Sequence, residues 1–140
     1  MSPVAAHPPP RYPSPLQAAT SRSRKRGWWL AVGGCAAAIF ILSVVPVPEG
    51  PSVPYLDKAV HLCEYLLFSW LLAHAIRATQ LTARDYLWLV WIYATSYGLV
   101  IEIIQGLIPW RSADLLDAVA NALGAALGAW GSQHLPRRSG

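Results

Sequence analysis

Charge is scarce in this chain. Lysine, arginine, aspartate and glutamate make up 13% of its 140 residues, while 54% are hydrophobic. A soluble domain carries about 25% charged residues, so the polar shell of a soluble fold is missing. Acids are scarcer still, seven against eleven basic residues. Cysteine is limited to Cys35 and Cys63, too few for a disulfide scaffold. Helical rise puts Cys35 about 12 Å from one membrane face and Cys63 within about 10 Å of the other. A disulfide needs Cα atoms closer than about 7 Å, so both are read as small core residues. Walker loop, nucleophile elbow, CxxC pair and H-E-x-x-H are all absent. The chemistries those motifs carry find no support, and no cofactor is expected.

What is present is long apolar runs. Residues 28–45 are eighteen without a charge, and 87–101 are fifteen before Glu102 interrupts them. Crossing the hydrocarbon core takes about 20 residues of helix, and four spans are predicted at 28–45, 59–76, 87–108 and about 113–131. The predicted fold class is all-α: an integral membrane bundle of four transmembrane helices, one domain over residues 27–134. Pro109-Trp-Arg-Ser112 is so short a link that spans three and four should form a tight antiparallel hairpin, with Ser112 capping the fourth. Residues 1–26 hold six of the twelve prolines and no apolar period, which reads as a disordered cytoplasmic tail. Residues 135–140 read as a second, short one. A signal peptide at 22–45 would need a shorter apolar run and a small-x-small cleavage site, and has neither. Trp28, Trp29, Tyr86, Trp110 and Trp130 fall where interfacial aromatics belong.

The net charge of +4 reports topology rather than a nucleic-acid partner. If the spans alternate, nine of the eleven basic residues fall on one side, leaving Lys58 and Arg111 on the other. The positive-inside rule then puts both termini in the cytoplasm. Five of the seven acids gather at the opposite, external end: Asp57, Glu64, Glu102, Asp114 and Asp117. A charge in lipid costs roughly 2.5–3.5 kcal/mol on insertion scales, so this concentration marks a candidate site.

Angle and depth agree on where those groups point. Asp114, Asp117, Asn121, Gly124 and Gly128 share about 80° of arc, and Gly98, Glu102 and Gln105 about 60°. Asp57, His61 and Glu64 form a third stripe. Glu102, Asp117, His61 and Glu64 all lie about 6–10 Å into the bilayer, so the stripes are predicted to face inward around a polar site open to the exterior. Each part has a plainer reading. Gly124 and Gly128 suit close helix packing, and Asn121 suits interhelical hydrogen bonding. Arg111 and Lys58 suit interfacial anchors, His61 a satisfied core histidine, and Glu102 half of an ion pair. Co-location weighs against all of these together. Five acids meet two cations and one histidine, so pairing cannot neutralise the set.

The run Gly98-x3-Glu102-x2-Gln105, followed by Pro109-x-Arg111-x2-Asp114-x2-Asp117-x3-Asn121-x2-Gly124-x3-Gly128, resembles the VanZ-like family of bacterial membrane proteins. Upstream, Asp57-Lys58-x2-His61-x3-Tyr65 matches the family's pattern at the start of its second span. The resemblance covers about residues 40–131 and leaves 1–26 outside. The family takes its name from a member associated with resistance to the glycopeptide antibiotic teicoplanin. The resemblance implies a multi-pass protein of the bacterial cytoplasmic membrane acting at the cell envelope.

Three functions compete. In the first, the site recognises a lipid-linked envelope component or an antibiotic. Arg111 and Lys58 would contact a phosphate or carboxylate at the rim, and Asp57, Gln105, Asn121 and Tyr65 would help line the site. In the second, the chain is an enzyme acting on an envelope lipid or glycan. Glu102, Asp117 and Asp114 would supply acid and base, beside His61, the one side-chain type here that titrates near neutrality when unperturbed. An Asp/Glu/His set can also hold a divalent cation, but without a compact ligand motif no metal is assigned. Transport of protons or small cations comes last, because the inner halves offer little beyond Thr95, Ser96, Ser69 and His74. The expected partner is a membrane lipid or lipid-linked component, and a homo-oligomer is left open.

Overall fold

The computed structural model describes residues 14–46, 55–77 and 82–134, which are helical with no strand among them. Four helices follow one another: α1 (Pro15–Val44), α2 (Leu56–Ile76), α3 (Ala83–Gly106) and α4 (Leu115–Gly131). Three of them are long and apolar enough to cross a membrane. The fourth, predicted as a full span, has 17 residues and rises only about 26 Å, somewhat short of a hydrocarbon core about 30 Å thick.

α1 begins well before the predicted boundary, so residues 15–26 are helix rather than disordered tail. Ser14 and Gln17 form a capping box: Gln17 N–H donates to Ser14 Oγ, and Ser14 N–H donates to Gln17 Oε1 at 3.0 Å. Pro15 occupies the first helical position, where its missing N–H costs nothing. From Leu16 to Arg26 there is neither proline nor glycine, and leucine, alanine, glutamine, lysine and arginine all favour helix. This stretch elongates an existing apolar helix, so no new nucleus is needed. The prolines before residue 14 and the segment 135–140 lie outside the described residues.

Glycine sets the closest approach in the bundle. A Cβ on Gly124 would strike the Leu62 carbonyl, and one on Gly128 would strike the Leu66 carbonyl and Ser69 Oγ. The predicted small-residue face of α4 is therefore packed against α2. α1 and α4 lie on opposite sides of α2 and α3 and do not touch. Tyr65, Phe68, Leu72, Val90, Ala94 and Ala125 fill the centre.

The helices alternate in direction, giving two ends of distinct chemistry. At one end Trp28 stacks against Trp70 and His74, and the Arg77 guanidinium donates to the Ser132 carbonyl. Tyr86, in the first turn of α3, is buried there, its hydroxyl donating to the Ala73 carbonyl. Both cysteines are free; Cys35 is half-buried and packed against the core as expected, whereas Cys63 is exposed and is no core residue. Leu30, Phe40, Leu67, Ile92, Ile103 and Leu127 are all exposed, a belt that would drive a soluble protein to aggregate and that suits lipid.

Candidate functional site

The acids meet at the other end, where α1 and α3 finish and α2 and α4 begin. Lys58, in the first turn of α2, stands among three of them. Its Nζ donates to Asp57 Oδ2 at 2.9 Å, Asp114 Oδ2 at 2.8 Å and Asp117 Oδ1 at 3.1 Å. An ammonium has three donors, so none is left for an outside anion. Arg111, half-buried nearby, makes no side-chain hydrogen bond or ion pair among the described residues. Of the two predicted rim cations, only Arg111 makes no side-chain hydrogen bond among the described residues, with Glu64 within electrostatic reach.

Asp114 caps α4, the position predicted for Ser112: its Oδ1 accepts from Leu116 N–H at 2.8 Å. Asp114 wins because its carboxylate reaches the first-turn N–H and Lys58 at once. Its carboxyl is held below the usual carboxylate range, first by Lys58 and then by the Leu116 N–H. The Asp114 N–H donates in turn to Glu102 Oε2 at 3.2 Å. The predicted hairpin does bring Glu102 to the head of α4.

Deeper in, His61, Glu102, Asp117 and Asn121 are all buried. His61 Nδ1 lies 3.1 Å from Asn121 Oδ1. With the amide oxygen accepting, Nδ1 carries the proton and Nε2 turns towards Asp117 Oδ2, 4.0 Å away. One ligand-type atom from each of His61, Glu102 and Asp117 lies within 4.8 Å of the others. Gly98 makes room for this floor: a Cβ there would sit 2.9 Å from Tyr65 Cε1 and 3.1 Å from Asn121 Nδ2. Three buried polar atoms here have no hydrogen-bond partner among the described residues, namely Tyr65 Oη, Glu102 Oε1 and Asn121 Nδ2. Leaving each unsatisfied costs about 1–3 kcal/mol.

Two predicted members make no hydrogen bond within the cluster. Gln105 is buried on the expected face, but its Nε2 donates to the Ser43 carbonyl of α1 at 3.2 Å. It ties α3 to α1. Glu64 is half-buried and makes no hydrogen bond or salt bridge among the described residues, but lies within electrostatic reach of His61 and Arg111. Ser43 and Val44, which takes a hydrogen bond from Trp110 Nε1 at 3.1 Å, were not foreseen as neighbours. Both act through backbone carbonyls, which leave no mark on side-chain pattern. An apolar groove between α3 and α4, lined by Leu87, Trp91 and Ala126 among others, contains none of these groups.

Fold and site together define a helical membrane protein with a carboxylate-rich polar centre buried at one end. The chain belongs to the VanZ/LLP1 family, whose match runs over residues 14–134. That span starts where the capping box starts α1, so it reaches further upstream than the motif resemblance did. No curated protein and no solved structure matches the chain.

Proposed function

We propose that this VanZ/LLP1 protein works in the bacterial cytoplasmic membrane. Its buried polar end recognises the head group of a lipid-linked envelope component or a glycopeptide antibiotic. The observation that carries this reading is the trio of unpartnered buried atoms on Tyr65, Glu102 and Asn121. A carboxylate oxygen accepts from a hydroxyl or ammonium group, a tyrosine hydroxyl both donates and accepts, and an amide NH2 donates. Such a set suits a sugar or amine head. With Lys58 occupied by carboxylates, any phosphate or carboxylate on the ligand falls to Arg111, whose planar fork pairs with such anions.

Lipid extraction and mass spectrometry of the purified protein test the proposal. A discrete envelope lipid should accompany the wild type and be depleted from Glu102→Gln and Arg111→Lys. Identical lipid profiles in all three would defeat it. Catalysis on such a lipid is the second reading, favoured by the approach of His61 to Asp117. It requires that a bound lipid be chemically altered on incubation, which the same spectra reveal.

A further inference from the structure

We propose that His61, Glu102 and Asp117 bind one divalent cation of the zinc or manganese class, each ligand coming from a different helix. This goes beyond the recognition reading, since such an ion would bind whether or not a lipid is present. Atoms held at about 2.0–2.2 Å from a tetrahedral Zn²⁺ stand about 3.3–3.6 Å apart, so His61 Nε2 and Asp117 Oδ2, 4.0 Å apart, need close by only about half an ångström to share an ion. A Glu102 carboxylate oxygen lies within 4.8 Å of a ligand atom of both residues.

The neighbours of the three residues make the stronger argument. Each ligand has one atom held from outside and another left over. Asn121 Oδ1 pairs with His61 Nδ1, which leaves the Nε2 lone pair for a metal. Lys58 and the Asp114 N–H take Asp117 Oδ1 and Glu102 Oε2 respectively. Asp117 Oδ2 then faces His61, and Glu102 Oε1 is buried with no partner in a residue only 4% exposed. Outer partners that orient ligands in this way are the usual companions of metal sites. Two carboxylates also balance a dication, and an imidazole with two carboxylates suits zinc or manganese better than calcium.

A second acidic set, Asp57, Asp114 and Asp117, is equally compact. Its centre is taken by the Lys58 ammonium, within 3.1 Å of all three carboxylates. That set has its cation already. The inner set does not.

The test uses the full chain, purified in detergent without a polyhistidine tag and stripped with a chelator. After equilibration with ZnCl2 or MnCl2 and gel filtration, the wild type should retain one metal ion per chain. Co²⁺ should give visible d–d bands that Zn²⁺ abolishes. Glu102→Gln, nearly isosteric, and Asp117→Asn should each weaken binding about tenfold or more, and Asn121→Ala by about 10–100-fold through loss of His61 orientation. His134→Ala, at the far end, should leave binding unchanged. No retained metal in the wild type, or equal retention in Glu102→Gln and Asp117→Asn, overturns the site. Lipid is quantified in the same samples. Metal bound with no lipid counts against the recognition reading alone, and lipid bound with no metal overturns the metal site alone.

Discussion

Lys58 and Glu102 carry opposite electrostatic burdens, and their variants should respond in opposite directions. Lys58 holds Asp57, Asp114 and Asp117 together. Lys58→Gln leaves those carboxylates facing one another without a cation, so the melting temperature in detergent should fall. Acid offers an independent check through Asp114, whose carboxyl pKa in the fold lies below the ordinary value because of Lys58. A carboxyl depressed in this way stabilises fully above its unfolded pKa of about 3.9. That contribution disappears as pH falls through the lower, folded value. Acidification below about pH 4 should therefore cost the wild type more stability than it costs Lys58→Gln. Equal acid sensitivity would show that Lys58 does not hold Asp114. Glu102→Gln removes a buried charge that no cation pairs, so in metal-free protein its melting temperature should equal or exceed that of the wild type. A clear drop would mean that Glu102 is ionised and satisfied by the fold itself. The sequence announces that these acids cannot all be paired, yet it does not say which ones Lys58 takes. Lys58 and Asp114 are 56 positions apart, and only the packing of α2 on α4 joins them.

At the scale of helices, periodicity reads faces well and neighbours poorly. The stripe Asp117, Asn121, Gly124, Gly128 is buried as a unit, because a helix holds angular order regardless of what surrounds it. Gln105 shows the limit. Its face follows from its angle to Glu102, but its partner on α1 depends on where α1 packs, which no single-helix pattern encodes. Helix starts were also missed where capping decided them. Ser14 and Asp114 compete with nearby serines and prolines for the role, and only hydrogen-bond geometry settles it. The glycines offer a sharp test at this scale. Gly128→Leu and Gly124→Leu must push α4 away from the α2 backbone, and overpacking of this kind costs about 1–3 kcal/mol or more. Gly33→Leu and Gly34→Leu meet nothing within 4 Å and should be tolerated. Thermal unfolding in detergent distinguishes the pairs. Equal stability across all four variants would mean that α2 and α4 are not in contact.

The whole molecule is polarised end to end, and orientation is the property that gives this polarity meaning. Lys58, Glu102 and Asp114 mark one end through their mutual contacts, as do Ser43 and Gln105 through theirs. Trp28, His74, Arg77 and Ser132 mark the other. Arg22, Arg24, Lys25, Arg26, Arg77 and Arg84 all belong to the second end by their places in α1, beyond α2 and at the head of α3. Flanking arginine and lysine favour the cytoplasm, so the expected orientation puts the carboxylate end outside and both termini inside. Ser112 and Gln133 are exposed at the carboxylate and basic ends respectively, and each replaced by cysteine reports one end. Cys35 and Cys63 are first changed to alanine to remove background. In intact cells a membrane-impermeant maleimide should label Ser112→Cys, while Gln133→Cys should react only after lysis. The reverse pattern would place the polar centre at the cytoplasmic face. A ligand arriving from outside the cell would then be ruled out, whereas a metal site at His61, Glu102 and Asp117 would stand, since nothing in its geometry depends on which side it faces.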